Sequence, residues 1–270
     1  MDGRRHEITS ADGTPIGLLT AGRGPALLLV HGGMGRLERW EPMCGLLTAR
    51  WRVTAMDRRG RGSSGDTGPY DVSKEYDDVI AVATAMAVAA ASQVDVLAHS
   101  YGATCTLGAA ARSGAAGAVP FRRIALYEPP GPQTVPVAWR ERAISFIAAG
   151  QPGRAMMSFL SEIIGLSPDQ IESLRSAAGA QDVLPIVSAT MPREAAALAA
   201  VDLPALAAGV TAPVLLVLGA ASPAWAGDIT YALAAALADA TVALLPGCGH
   251  EAIDSAPGRL ADVLAQFLSP

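Results

Sequence analysis

The sequence predicts an α/β protein with a mixed, mostly parallel β-sheet. Short, continuously apolar runs alternate with longer alanine-rich segments, a pattern typical of strands joined by helical crossovers. Strands that are apolar throughout are covered by helices on both faces of a sheet. Two opening runs, Arg4–Thr9 and Pro15–Thr20, flank the turn-forming segment ADG at residues 11–13 and predict an antiparallel hairpin at one edge.

Six further runs share this continuous apolar character and predict the central strands: Pro25–Val30, Arg52–Met56, Val94–Ala98, Arg123–Tyr127, Pro213–Leu218 and Thr241–Leu245. Apolar spacing and alanine content predict helices at Arg36–Ala49, Ser73–Ala91, Tyr101–Arg112, Gly227–Ala238 and Ala256–Leu268. From Pro129 to about Val210 no strand-like run occurs. The sequence therefore predicts a helical cap at residues 129–210, inserted in a core of residues 1–128 and 211–270.

Composition narrows the class of protein. The 270 residues, 51% hydrophobic and 17% charged, supply one large hydrophobic core and exclude a disordered chain. A net charge of −5, without long basic runs, disfavours binding to nucleic acid. The longest apolar stretch, residues 79–91, is shorter than the roughly 20 residues that cross a bilayer, and no secretory signal is recognised. Three widely spaced cysteines indicate neither disulfides nor a metal site, and we expect a cytoplasmic protein.

A serine between small residues follows the strand VDVLA. In the segment AHSYG the chain turns from strand to helix around Ser100, and the small residues Ala98 and Gly102 avoid a clash across the bend. The turn exposes the Ser100 side chain, which makes it a candidate nucleophile. A serine that caps a helix is the alternative interpretation.

A glycine-rich segment, HGGMG at residues 31–35, follows the strand PALLLV. Its glycines allow backbone N–H groups to approach a substrate oxygen, where acyl transfer develops negative charge. The N–H groups of Gly33 and Tyr101 are the candidate donors. A glycine-rich turn without a chemical role is the alternative.

The segment GCGH follows the strand TVALL and ends at His250. Histidine is suited to act as the general base for a serine because its unperturbed pKa is about 6.5. A surface histidine is the alternative. A fourth segment, DRRGRGSS at residues 57–64, is interpreted as scaffold in which Asp57 and the two serines satisfy loop N–H groups and Arg59 ties neighbouring loops.

Together and in this order, these segments resemble the alpha/beta-hydrolase family. VHGGMG is similar to its oxyanion loop, DRRGRGSS to its Asp-x-Arg-Gly-x-Gly-x-Ser segment, AHSYG to its nucleophile elbow and GCGH to its histidine loop. The resemblance covers nearly the whole chain outside the insert. It implies eight mostly parallel strands with a helical cap, and a serine hydrolase that acts through an acyl-enzyme on Ser100.

The third catalytic residue departs from the pattern of many relatives, in which the acid follows the strand read here as PVLLVL. This chain continues GAASP at residues 219–223 and has no carboxylate before Asp228. A second location in the family is the end of the preceding strand, where Glu128 stands. Glu128 is therefore the predicted acid, and Ser100, Glu128 and His250 follow the chain order of the family. Asp228 and Asp254 are the alternatives, as is a dyad without an acid, and a capping or salt-bridging carboxylate is the alternative interpretation of Glu128.

The substrate class is inferred from the insert. Its apolar residues could form a ceiling over the site and favour a small or medium apolar ester, lactone or thioester, with Met34, Trp139 and Phe159 as candidate binding residues. At helical spacing, the core of the cap is the alternative role of the apolar residues of the insert. No spacing suggests a metal or an organic cofactor, so a small-molecule substrate is the expected partner. A lyase or cyclisation enzyme that uses His250 as a base is the main alternative, and a ligand receptor is a further one. The sequence does not determine the oligomeric state.

Overall fold

An eight-stranded, mostly parallel sheet forms the centre of the molecule. The computed structural model describes residues 3–117, 119–176 and 180–269, without the side chains of residues 180 and 181. Strand order in the sheet is β1-β2-β4-β3-β5-β6-β7-β8. Only the β1–β2 and β2–β4 pairs are antiparallel. The strands are β1 (Arg4–Thr9), β2 (Pro15–Ala21), β3 (Ala26–Val30), β4 (Arg52–Met56), β5 (Val94–His99), β6 (Phe121–Tyr127), β7 (Val214–Gly219) and β8 (Ala240–Leu245).

Both faces of the central strands are buried. All five residues of β3 are buried, and its side chains alternate between two hydrophobic cores: Leu28 and Val30 belong to one, Leu27 and Leu29 to the other. This alternation follows from the two-residue period of a strand. The continuous apolar character of the strand sequence is thus the direct consequence of a sheet between two layers.

Helices form these two layers. They are α1 (Glu41–Thr48), α2 (Val72–Ala90), α3 (Tyr101–Ala115), α9 (Ala224–Ala236), α10 (Ala252–Ser255) and α11 (Pro257–Leu268). Helices α4–α8 lie between β6 and β7 and are described below. The helix predicted from residue 36 is instead a short 3-10 turn, Leu37–Trp40, followed by α1. Pro42 lies in the first turn of α1, where its missing N–H costs no helical hydrogen bond. No described helix has the length and apolar character that a bilayer span requires.

The segment between β6 and β7 is helical in its described parts. It contains α4 (Val137–Ala148), α5 (Pro152–Ser158), a π-helical turn (Phe159–Ile163), α6 (Pro168–Ser176), a 3-10 turn (Ala180–Val183), α7 (Leu184–Leu198) and α8 (Leu203–Ala208). Residues 177–179 of the predicted cap lie outside the described residues, as do residues 1–2, 118 and 270 of the predicted core. The division into core and cap stays a prediction.

The topology places five functional segments at one edge of the sheet. Strands β3, β4, β5, β6 and β8 run parallel, so their carboxyl ends meet at the same edge. The loops after these strands carry the candidate residues named above. Residues far apart in the sequence can therefore share one cavity.

Candidate active site

The backbone at Ser100 makes the sharp turn that the sequence predicts. Ser100 has φ 52° and ψ −130°, a left-handed conformation that is unfavourable for a residue with a side chain. Its N–H donates to the Tyr127 carbonyl at 2.9 Å. A Cβ at Gly102 would lie 2.2 Å from the His31 carbonyl oxygen, and one at Gly32 would lie 2.9 Å from the Ser100 Cβ. Glycine is required at both positions because the strand, the turn and the glycine-rich loop lie in contact.

His250 is held by a buried carboxylate. Nδ1 of His250 lies 2.6 Å from Oε2 of Glu128, whose exposed fraction is 0%. The carboxylate accepts, so Nδ1 carries the hydrogen and Nε2 is left with a free lone pair in the neutral ring. The other carboxylate oxygen accepts from the N–H of Gly219 at 2.7 Å and from the hydroxyl of Ser222 at 2.5 Å. Three donors therefore orient Glu128, and Glu128 orients the imidazole.

Neither alternative acid is bonded to His250, although Asp254 also lines the cavity that contains Ser100 and His250. Asp254 forms an ion pair with Arg39, and its side chain is 36% exposed. Asp228 lies on α9 and is exposed. Among the three candidate carboxylates, only Glu128 is hydrogen-bonded to His250 in the described structure.

Three aromatic rings lie beside His250, of which Tyr127 is the farthest at 6.2 Å between ring centroids. The centroid of the His99 ring lies 4.6 Å from that of the His250 ring, and the Trp225 ring meets the His250 ring edge-on with 5.5 Å between centroids. Nε2 of His99 also contacts the His250 carbonyl oxygen at 3.0 Å, which requires a hydrogen on that nitrogen. Burial, followed by the proximity of His250, holds the pKa of His99 well below 6.5. A neutral His99 therefore supports both the ring and the backbone of His250.

The glycine-rich loop is held by His31. Its Nε2 accepts from the N–H of Arg58 at 3.0 Å, so Nδ1 carries the hydrogen and donates to the Gly32 carbonyl at 2.8 Å. Burial, together with the charge of Arg58, keeps the pKa of His31 well below 6.5. The loop then carries Gly33 to the wall of the cavity that also contains Tyr101.

The DRRGRGSS segment makes the structural contacts expected of a scaffold. Asp57 accepts from the N–H of Leu37 at 2.8 Å and from the N–H of Ser63 at 2.9 Å. The hydroxyl of Ser64 accepts from the N–H of Gly17 at 2.8 Å. The guanidinium of Arg59 pairs with Asp78 on α2. These bonds tie the loop after β4 to the neighbouring elements.

A cavity of about 300 Å³ joins these residues. Ser100 and His250 both line it, as do Gly33 and Tyr101. The three candidate binding residues of the sequence also line it, and they are Met34, Trp139 and Phe159. The rings of Trp139 and Phe159 lie 5.5 Å apart and form part of an apolar roof. The described residues contain no group of three or more His, Cys, Asp or Glu side chains arranged to hold a metal ion.

Sequence reasoning missed four residues of this site. Ser222 and Trp225 follow β7, in the segment noted for lacking a carboxylate, and His99 precedes Ser100. Only His99 lies inside a recognised segment, where its aromatic ring was the available signal. Glu194 on α7 also lines the cavity, and no sequence signal distinguishes it from other carboxylates of the insert.

The fold and the site define a known family. The model of the alpha/beta hydrolase family matches residues 27–263. The chain therefore belongs to the alpha/beta hydrolase family, and it is a hydrolase. A comparison with curated protein sequences found no match.

Solved structures agree with this assignment. The chain is similar to an alpha/beta hydrolase from Sphaerobacter thermophilus DSM 20745, with 31% identity, a TM-score of 0.82 and coverage of 98% of this chain and 100% of that one. The fold is shared with an enol-lactonase from Burkholderia xenovorans LB400 (20% identity, TM-score 0.76, 98% and 100% coverage). It is also shared with an esterase from Rhodococcus sp. ECU1013 (23% identity, TM-score 0.77, 98% coverage of both chains).

Proposed function

We propose that this hydrolase cleaves a small or medium apolar ester, lactone or thioester through an acyl-enzyme on Ser100. The observation that carries the proposal is the hydrogen bond between Glu128 and His250, made beside a cavity that Ser100 also lines. A serine, a histidine and a carboxylate in this relation are the parts of a nucleophilic triad. The proposed roles are nucleophile for Ser100, general base for His250 and orienting acid for Glu128.

The reaction follows from these roles. Nε2 of His250 takes the proton of the Ser100 hydroxyl while the serine oxygen bonds to the substrate carbonyl carbon. The protonated imidazole then gives this proton to the leaving oxygen or sulfur as its bond to the carbonyl carbon breaks. Water attacks the acyl-enzyme with the same base and releases the acid and Ser100. Glu128 stabilises the imidazolium in both steps.

The proposed oxyanion donors are the backbone N–H groups of Gly33 and Tyr101. Tyr101 is the first residue of α3, and the first N–H groups of a helix have no partner within it. Gly33 follows β3 on a loop fixed by His31. Two fixed donors would stabilise the negative charge of the tetrahedral intermediate, a contribution of about 3–4 kcal/mol for one such donor.

The cavity supports the substrate class. Its volume of about 300 Å³ suits a small molecule, and its roof carries Trp139 and Phe159 from the helical segment. The enol-lactonase and the esterase of the same fold are named for lactone and ester substrates. The chemistry proposed here uses no metal or organic cofactor, and the cytoplasmic location stays a prediction.

The non-hydrolytic alternative was motivated by the missing carboxylate after β7. Glu128 supplies a carboxylate to His250 from the end of β6, so that departure no longer favours a lyase or a cyclisation enzyme. Hydrolysis is therefore the reaction that we propose.

Ser100→Ala tests the proposal. The variant should lose hydrolysis of phenyl butanoate and labelling by a serine-directed phosphonate, because the nucleophilic oxygen is gone. Ser92→Ala, at an exposed position, is the matched control and should keep both. Hydrolysis in H₂¹⁸O should place solvent oxygen in the released acid. Retained turnover in Ser100→Ala, or a product without solvent oxygen, would contradict the acyl-enzyme mechanism.

A further inference from the structure

A carboxylate from the helical segment reaches the wall of the cavity. Glu194 lies on α7, and its Oε1 accepts from Nη2 of Arg58 at 2.5 Å and also from Nη2 of Arg61. Both arginine side chains are 0% exposed. Glu194 is thus a buried residue with one oxygen held by two cations, and it lines the cavity with Ser100.

The charge of Glu194 is neutralised within a buried cluster. Arg58 also makes a two-bond contact with Glu75, through Nε at 2.9 Å and Nη2 at 2.6 Å. The two arginines and the two glutamates cancel in formal charge. An uncompensated carboxylate beside the oxyanion site would raise the energy of the negatively charged intermediate. The cluster removes that penalty, so a carboxylate can lie there without opposing the reaction.

The second oxygen of Glu194 lies on the side of the oxyanion loop. A Cβ added at Gly33 would lie 3.3 Å from Oε2 of Glu194, closer than an ordinary van der Waals contact, so this oxygen lies directly beside the residue of the proposed oxyanion donor. Gly33 and Glu194 line the same cavity. Oε2 is therefore an acceptor at the cavity wall, close to where the reacting carbonyl would bind.

Strand order decides which part of the substrate meets this oxygen. Arg58 follows β4, whereas Glu128 follows β6 and His250 follows β8, and Ser100 after β5 lies between these two sides. The leaving group must lie near His250, which protonates it. Glu194 is hydrogen-bonded to Arg58, on the side of Ser100 opposite to His250. Because the leaving group lies toward His250, Glu194 faces the acyl part of the substrate.

We propose that Glu194 determines substrate specificity by accepting a hydrogen bond from a neutral donor on the acyl group, a hydroxyl or amide N–H close to the reacting carbonyl. This inference rests on the proposed function. A neutral donor fits better than an ammonium group because the cluster is already balanced, and an added buried charge would be unpaired. The substrate class is then narrowed to an otherwise apolar acyl group that carries one such donor.

A pair of esters measures this preference in the wild-type enzyme. Phenyl 2-hydroxybutanoate, as each enantiomer, and phenyl butanoate differ by one hydroxyl group, and dividing each kcat/KM by the rate constant of hydroxide-catalysed hydrolysis of the same ester corrects for the inductive effect of that hydroxyl. One enantiomer should show a kcat/KM roughly 10- to 100-fold above that of phenyl butanoate, since a buried charged acceptor is left unpaired by the substrate without the hydroxyl. A ratio below about threefold for both enantiomers would overturn the proposal, whatever the variants show.

Glu194→Gln assigns the preference to this residue. Arg58 and Arg61 only donate, so the amide oxygen of the glutamine must face them and its NH₂ group must face the cavity. The acceptor at the wall becomes a donor, and the preference for the hydroxy ester should fall to within threefold. Glu75→Gln removes the same charge from the same cluster but does not line the cavity, so it should keep the wild-type ratio.

The outcomes separate this inference from the proposed function. Loss of preference in both variants would show that the charge of the cluster, not Oε2, determines selectivity and would overturn the inference. Unchanged preference in Glu194→Gln would also overturn it. Thermal unfolding of both variants checks that each is folded. If a variant does not fold, the ratio of the two kcat/KM values in the wild-type enzyme still tests the proposal. Hydrolysis of phenyl butanoate that depends on Ser100 tests the acyl-enzyme mechanism independently of the ratio.

Discussion

Glu128 contacts His250 from the end of β6, two strands away from the β8 loop that carries the histidine, with 2.6 Å between Oε2 and Nδ1. Its backbone has φ 47°, which directs the chain out of the strand at this residue. Gly219 and Ser222, from the end of β7 and the loop after it, donate to the other oxygen. The loop after β7, which has no carboxylate of its own in residues 219–223, thus binds Glu128 at the end of the neighbouring strand β6.

Glu128→Gln is expected to lower kcat for phenyl butanoate roughly 10³- to 10⁴-fold. The amide oxygen would keep the N–H of Gly219, so the NH₂ group would face Nδ1 of His250 and move the ring hydrogen to Nε2. The base would then lack its lone pair toward Ser100. Asp254→Asn is the control and should stay within about threefold, because Asp254 pairs with Arg39. Similar losses in both variants would argue against Glu128 as the acid.

Ser222→Ala is expected to lower kcat about tenfold with little change in KM. The variant removes one of three donors to Glu128, and a hydrogen bond to a charged group contributes roughly 1.5–3 kcal/mol. The N–H of Gly219 would still hold the carboxylate, so the loss should remain well below that of Glu128→Gln. Steady-state kinetics of the two single variants and the double variant give the measurement. Additive effects in free energy would refute the coupling between the two side chains.

Acid is expected to destabilise the fold below about pH 6.5. The pKa values of His31 and His99 are depressed by burial, so the unfolded state binds protons that the folded state does not. Each histidine should lower the unfolding free energy by about 1.4 kcal/mol per pH unit below the unfolded pKa, with no contribution well above it.

Urea unfolding of the wild type and of His99→Gln, at several pH values from 7.5 to 5.5, checks this effect. The slope of the unfolding free energy against pH should correspond to about one proton fewer in the variant than in the wild type. Equal slopes in the two proteins would mean that His99 does not stay neutral in the folded state.

Phe159→Ala should shift the acyl-length preference toward longer esters. Phe159 lines the cavity and packs against Trp139, so removal of the Phe159 ring enlarges the cavity under its roof. The kcat/KM ratio of phenyl octanoate to phenyl butanoate should rise roughly tenfold, which corresponds to about two further buried methylenes at about 0.8 kcal/mol each. Phe146→Ala, a partly buried ring outside the cavity wall, is the matched control. An unchanged ratio in Phe159→Ala would show that the acyl chain binds elsewhere.

The strands were predictable because a short apolar run bounded by turn-forming residues leaves few alternative positions for a strand. Both β1 and β4 have the predicted bounds, and the remaining strands differ from the predicted bounds by one or two residues at an end. The strand β6 begins two residues earlier than predicted, at Phe121. In the structure Arg122 pairs with Asp95 of β5 at 2.9 and 2.6 Å, and this tertiary contact compensates the charge within the sheet.

The sequence by itself determined the family, the strand-loop order and the segments that carry Ser100 and His250, because turns and apolar runs are local properties of the chain. Tertiary structure decided which carboxylate meets the histidine. It also brought Ser222 into hydrogen-bond contact with that carboxylate, Trp225 beside the imidazole and Glu194 to the cavity wall. These contacts join residues separated by about ninety or more positions, or side chains of neighbouring loops, so they depend on strand order and on the angle at which each loop leaves the sheet.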